Sequence, residues 1–205
     1  MTRSEKGRHL QDAVAQQFRI LFTADTHLGF DLPFRPRIER RRRGHDILAN
    51  FERVLQAARD RGVDAVIHGG DLFHHSRAAG PLVEMAYAPL KRLADAGVRT
   101  YIVPGNHERG RIPHSELSIH PKLHVFTRPR TFVLRKADRT LTISGFPHTA
   151  NIRRHFQGLL AATHWRRVPA DNRLLCMHQC VEGAVVGPGG HVFRRGRSIL
   201  PGRDL

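Results

Sequence analysis

The chain has little of what staples or anchors a polypeptide. Among 205 residues there are two Cys, one Trp and two Tyr. Two cysteines, Cys176 and Cys180, cannot build a disulfide framework, and they lack the second pair a zinc site would need. A reduced, cytoplasmic setting is therefore expected. No uninterrupted apolar run approaches the roughly 18 residues of a membrane span. Met1 to Gln17 is polar and has no apolar stretch of the secretory-signal kind. Acidic side chains are scarce, 18 against 34 Lys and Arg, so the formal net charge is +16. Lysine is scarcer still: four residues beside thirty Arg. That excess raises the prospect of a polyanion partner, although an Arg- and Ala-rich composition also follows genomic base composition.

What is present is globular. Hydrophobic residues make up 40% and charged residues 25%, enough for a buried core and too apolar for a disordered chain. Residues 1–17 are expected as a polar extension, a weakly structured or frayed helical lead-in, and residues 18–205 as one domain. Phe18 to Ala24 is a short apolar run consistent with a buried strand. Ile47, Leu48, Phe51, Val54, Leu55 and Ala58 recur at helical spacing up to Arg61, with Gly62 as the stop. Val63 to His68 is a second strand, Leu82 to Ala96 a second helix ended by Gly97, and Val98 to Val103 a third strand. This alternation predicts an α/β fold with a mostly parallel sheet. Arg130 to Arg135 and Thr140 to Gly145 read as two strands of a second sheet around a turn at Ala137-Asp138. Asn151 to Thr163 reads as a helix, Arg173 to His178 as a strand, and Gly187 to Leu205 as loop.

Each of the first three strands ends in a polar cluster, and such strand ends form the ligand crevice of parallel α/β sheets. Asp25 and His27, two apart on an extended segment, can aim at one point. Asp71 follows Gly69-Gly70, which permits a tight turn. Asn106 and His107 follow Pro104-Gly105, and His178 ends the later strand. Carboxylate, amide and imidazole donors suit divalent ions such as Mn²⁺, Fe²⁺ or Zn²⁺. The set exceeds the needs of one ion, and a carboxylate between two ions would hold them roughly 3.5–4 Å apart. Taken singly, each Asp is more often a turn former and each His a core residue. The ordered set after successive strands is the signal.

At Asp25-Thr26-His27-Leu28-Gly29, Gly70-Asp71-Leu72-Phe73-His74, Gly105-Asn106-His107-Glu108 and Met177-His178-Gln179 the chain resembles the calcineurin-like metallophosphoesterases, and among them the SbcD-like DNA-repair exonucleases. The resemblance implies a two-sheet sandwich flanked by helices and a dinuclear, usually manganese-dependent phosphodiesterase. It implies Asp25 and His27 on one ion, Asp71 bridging, Asn106 and His178 on the second, and His107 as the catalytic residue at the substrate phosphate. It implies DNA as substrate and an SMC-like ATPase as partner. The family's closing Gly-His-X-His motif is missing. Gly190-His191-Val192-Phe193 and Gly44-His45-Asp46 each lack the second His. A chain cut before that motif is the favoured reading, a degenerate member the other.

Arg35, Arg37, Arg40, Arg41, Arg42 and Arg43 cluster after the first motif. Cations at a helix N-terminus oppose the macrodipole, so the cluster suggests an anionic partner, and Arg35, Arg37, Arg41 and Arg42 are candidate DNA-backbone contacts. A solvated basic face is the bland alternative. Three functions thus stand in order: DNA exonuclease, phosphoesterase on a small molecule or phosphoprotein, and non-catalytic DNA- or protein-binding module. His74, His75, His114, His120, His124, His148, His155 and His164 receive no role.

Overall fold

The structure, a computed structural model, describes residues 17–33, 38–108 and 113–205. Residues 1–16 of the expected N-terminal lead-in therefore lie outside the described residues, as do Arg35 and Arg37. Four parallel strands form the first sheet in the order β1 (Ile20–Thr23), β2 (Ala65–His68), β3 (Arg99–Ile102) and β4 (Leu123–Val125). Helices α1 (Arg43–Asp60) and α2 (Gly80–Asp95) are the crossovers between the first three strands. The helices bury their apolar stripes on one face of the sheet. Phe51, Leu55 and Ala58 of α1 and Leu82, Tyr87, Leu90 and Leu93 of α2 join Val66 and Ile102 in one core cluster. Burial of each large apolar side chain contributes about 1.5–3 kcal/mol.

The second sheet holds β5 (Arg130–Lys136), β6 (Arg139–Gly145) and β7 (Asn172–Cys176); β5 and β6 run antiparallel and β6 and β7 parallel. Alternation along the strands fills the space between the two sheets. Ala65, Ile67, Tyr101 and Val103 from the first sheet region meet Phe126, Leu134, Leu141, Ile143 and Cys176. On the far face of the second sheet, Ile152 and Phe156 of α4 (Ile152–Ala162) pack with Phe146 and Leu200. The layers are helices, sheet, sheet, helix.

Every strand and helix expected from periodicity is present, with ends moved by a few residues. Neither α3 (His114–Leu117) nor β4 was legible. Both are too short to show a period. The tail is the correction. The segment expected as loop includes β10 (His191–Val192), paired with β9 (Val185–Val186), and β11 (Ile199–Leu200), paired with β8 (Cys180–Val181). Two-residue strands carry no alternation, so backbone pairing alone defines them. Among the described residues no helix is long and apolar enough to cross a membrane.

Candidate metal centre

The parallel pairing of β1 with β2 does not stop where the strands stop. The amide of Asp25 donates to Gly70 O (2.9 Å), that of His27 to Asp71 O (3.0 Å) and that of Leu28 to Leu72 O (2.8 Å). The first two motifs are thereby held in register. Asp25, His27 and Asp71 all have positive φ, 53°, 46° and 52°, a left-handed conformation uncommon outside glycine and costly unless surrounding structure enforces it. Their carboxylate and imidazole donor atoms lie within 4.8 Å of one another.

Asp71 is the centre of the arrangement. Its Oδ1 accepts the backbone N–H of His107 (3.0 Å). Its Oδ2 faces three rings: His178 Nε2 at 3.4 Å, His107 Nε2 at 3.8 Å and His27 Nε2 at 3.9 Å. Burial works against ionisation of Asp71, but the His178 ring and the His107 amide outweigh it and hold the carboxyl down at about 2. The His178 imidazole is raised in turn, chiefly by Asp71. His178 Nε2 also lies 3.2 Å from Asn106 Oδ1.

Backbone carbonyls fix two rings. His178 Nδ1 donates to Gly69 O (2.9 Å) and His107 Nδ1 to His74 O (2.5 Å). Both rings therefore present Nε2 to the centre, the outer-shell orientation typical of metal-binding imidazoles. Two glycines make room: a Cβ on Gly70 would lie 2.2 Å from His178 Nδ1, and one on Gly105 would lie 2.0 Å from Asp71 Oδ1.

Several contributors carry no signal in sequence spacing. Glu108 is buried and accepts the Gly105 amide on Oε2 (2.8 Å) and the Phe73 amide on Oε1 (3.1 Å). It ties the loop after β3 to the loop after β2, while burial raises its carboxyl above the usual range. His68 is buried and pushed down to about 4 by that burial. Its ring lies 2.8 Å from Thr26 Oγ1, between the two ligand-bearing loops. His74, given no role, joins His27 and His107 in a second cluster of imidazoles. His148 brings its ring to 6.2 Å from that of His178.

The residues fit divalent cations. With Nδ1 spent on Gly69, His178 Nε2 faces oxygen atoms of Asn106 and Asp71. Carboxylate, amide and imidazole donors converging at one point are the chemistry of divalent-metal sites. His45 and His191, the histidines of the two incomplete Gly-His motifs, lie elsewhere. The first accepts the Arg42 amide at the start of α1 and the second sits exposed in the β9–β10 hairpin. Of the Arg cluster, Arg41 pairs with Asp46 and Arg42 with Asp31.

A family model for calcineurin-like phosphoesterase matches residues 18–195. The chain belongs to that family. Within it, the chain is similar to the DNA double-strand break repair protein Mre11 of Haloferax volcanii, with 45% identity over 93 residues, covering 45% of this chain and 20% of that protein. It is 28% identical over 172 residues to the protein of the same name from Saccharolobus solfataricus, covering 80% of this chain and 42% of that one. The chain spans less than half the length of these relatives. Among solved structures, the Pseudomonas putida nuclease MPE aligns over 89% of this chain and 74% of its own at 18% identity, with a TM-score of 0.38. A dimetal phosphatase from Danio rerio aligns over 64% and 44% at 16% identity, with a TM-score of 0.45. In this member of the calcineurin-like phosphoesterase family the donor groups at the strand ends form a candidate metal site.

Proposed function

We propose that the centre is dinuclear and hydrolyses phosphodiester bonds, and that the substrate is DNA. The observation that carries this reading is the single oxygen, Asp71 Oδ2, ringed by the Nε2 atoms of His27, His107 and His178 at 3.4–3.9 Å. In this reading Asp25, His27 and Asp71 would hold one ion, and Asp71, Asn106 and His178 the other. Manganese is the proposed ion, because oxygen donors outweigh imidazoles in the set. When bound, a pair of divalent ions supplies Lewis acidity toward a phosphoryl oxygen and acidifies a water.

The rest falls to the protein. Asp71 is held ionised by His178 and the His107 amide. His107, its Nδ1–H committed to the His74 carbonyl, keeps Nε2 turned toward Asp71, and as the imidazolium it would pass its Nε2 proton to the leaving oxygen and be left neutral. Glu108 holds the two loops so that Asp71 and His107 keep their separation. The relatives named for DNA double-strand break repair support a nucleic-acid substrate, as does the net charge of +16. By the same resemblance, an SMC-like ATPase is the proposed partner and the cytoplasm the proposed location.

The test is Mn²⁺-dependent degradation of linear DNA beside hydrolysis of bis-p-nitrophenyl phosphate, by the wild type and Asp71→Ala. DNA degradation abolished by the substitution supports the nuclease. Hydrolysis of the small ester alone supports a small-molecule phosphoesterase, and DNA binding without cleavage of either supports a binding module.

A further inference from the structure

His68 closes β2, a strand that is otherwise Ala65, Val66 and Ile67. It is 2% exposed. An imidazole buried there costs free energy unless its polar atoms are paired, and an aliphatic side chain would fill the position without that cost. Both ring nitrogens are spent. Nδ1 accepts the Gly70 amide at 3.4 Å. Nε2 therefore carries the proton and donates it to Thr26 Oγ1 at 2.8 Å. The Thr26 hydroxyl donates in turn to Leu72 O at 3.3 Å. Three hydrogen bonds of one sense thus run from the loop after β2, through the ring, to the loop after β1 and back.

The two loops need such a tie. Thr26 stands between Asp25 and His27, and Gly70 directly precedes Asp71. Those three neighbours have φ of 53°, 46° and 52°, a conformation that persists only where surrounding structure enforces it. The backbone link between the loops uses the amides of Asp25, His27 and Leu28, and at Thr26 the side chain makes the link. We infer that His68 is a positioning residue of the metal centre: through Thr26 Oγ1 and the Gly70 amide it fixes the Asp25–His27 loop against the Asp71 loop, so that these donors are set before an ion arrives. This rests on the proposed reading of Asp25, His27 and Asp71 as the ligands of one ion. His68 acts from behind them and touches neither ion nor phosphate. Groups that orient metal ligands from behind govern metal affinity strongly, by roughly tenfold or more when removed.

Calorimetric titration with Mn²⁺ and urea unfolding without metal test this together. Thr26→Val replaces the hydroxyl by a methyl of similar size, and Thr26→Ser keeps it. His68→Leu removes both ring bonds, and His68→Gln keeps a donor for Thr26. Thr26→Val and His68→Leu are each expected to weaken Mn²⁺ binding roughly tenfold. The double variant is expected to bind no more weakly than either, because both substitutions cut one chain of bonds. Thr26→Ser is expected to bind as the wild type does, and His68→Gln to fall between wild type and His68→Leu. Should His68→Leu fail to fold, the Thr26→Val and Thr26→Ser pair decides alone. A packing role predicts lower urea midpoints with Mn²⁺ affinity unchanged, and that result overturns the positioning role, as does an additive loss of affinity in the double variant. A wild type that binds no Mn²⁺ overturns the metal-centre reading itself; a wild type that binds it, with variants that bind equally well, overturns the positioning role alone.

Discussion

Asp71 and His178 lie on different sheets of the sandwich and meet at 3.4 Å, carboxylate Oδ2 to imidazole Nε2. One follows β2 and the other follows β7, so their approach reports that the two sheets are correctly stacked. The centre is assembled by sheet packing and not by any one loop.

Asp71→Asn separates metal binding from architecture. The amide keeps an oxygen for the His107 N–H but sets an uncharged group against three imidazoles. Wild-type protein is expected to gain about 2.7 kcal/mol of stability when Mn²⁺ is a hundredfold above its dissociation constant. Without metal the variant is expected to unfold at a lower temperature, because the fold favours the ionised Asp71 carboxylate, and with metal to show no such gain. Thermal melts across a Mn²⁺ series check this; a preserved shift in the variant removes Asp71 from the metal-holding set.

Gly70→Ala tests the close packing under His178. Gly70 has φ of +120°, and a Cβ there would lie 2.2 Å from His178 Nδ1. Both the backbone and the ring must yield. The expected result is a loss of about 1–3 kcal/mol of stability together with weaker Mn²⁺ binding. Urea unfolding and calorimetric titration measure the two effects. Unchanged metal affinity would mean that the ring moves without consequence.

Much of this architecture is legible in the residues, and the reasons for the exceptions are physical. The α/β alternation shows because α1 and α2 are long and bury one apolar stripe each. The proposed ligands show because Asp, His and Asn recur at strand ends. Glu108 stands inside a readable motif, yet its task of bridging Gly105 and Phe73 depends on a contact across the sheet that spacing does not encode. His68 looks like the last apolar position of β2, and only the fold sets it against Thr26. The β8–β11 segments are pairs of residues whose strand character comes from their partners. His74 is hidden by being one His among fifteen.

Glu108→Ala and Glu108→Gln separate stability from geometry. Alanine leaves the buried amides of Gly105 and Phe73 without acceptors, at about 1–3 kcal/mol each. Glutamine keeps one acceptor oxygen and most of the packing. The alanine variant is therefore expected to be the less stable by chemical denaturation, and the glutamine variant to keep more metal-dependent activity. Equal loss in both would show that the charge of Glu108, and not its bridging, is what the centre uses.

His114 supplies one share of the pH dependence of the fold, beside His68 and His124, whose buried imidazoles are also held down at about 4. It is buried beneath α2, with its Nδ1 3.5 Å from the Tyr87 hydroxyl. Burial alone pushes its imidazole down to about 4 from an ordinary 6.5. A histidine depressed in the folded state is neutral there and readily protonated when unfolded. Its burial costs nothing in proton linkage above 6.5, and stability falls as pH drops from 6.5 toward 4. At pH 5 this amounts to roughly 2 kcal/mol. His178 shifts the other way and adds stability at low pH, so wild-type melts report a sum. The difference between wild type and His114→Leu isolates the term: from pH 7.5 to 5 the wild type should lose roughly 2 kcal/mol more than the variant. Parallel losses in the two proteins would show that His114 takes up its proton without leaving its buried place.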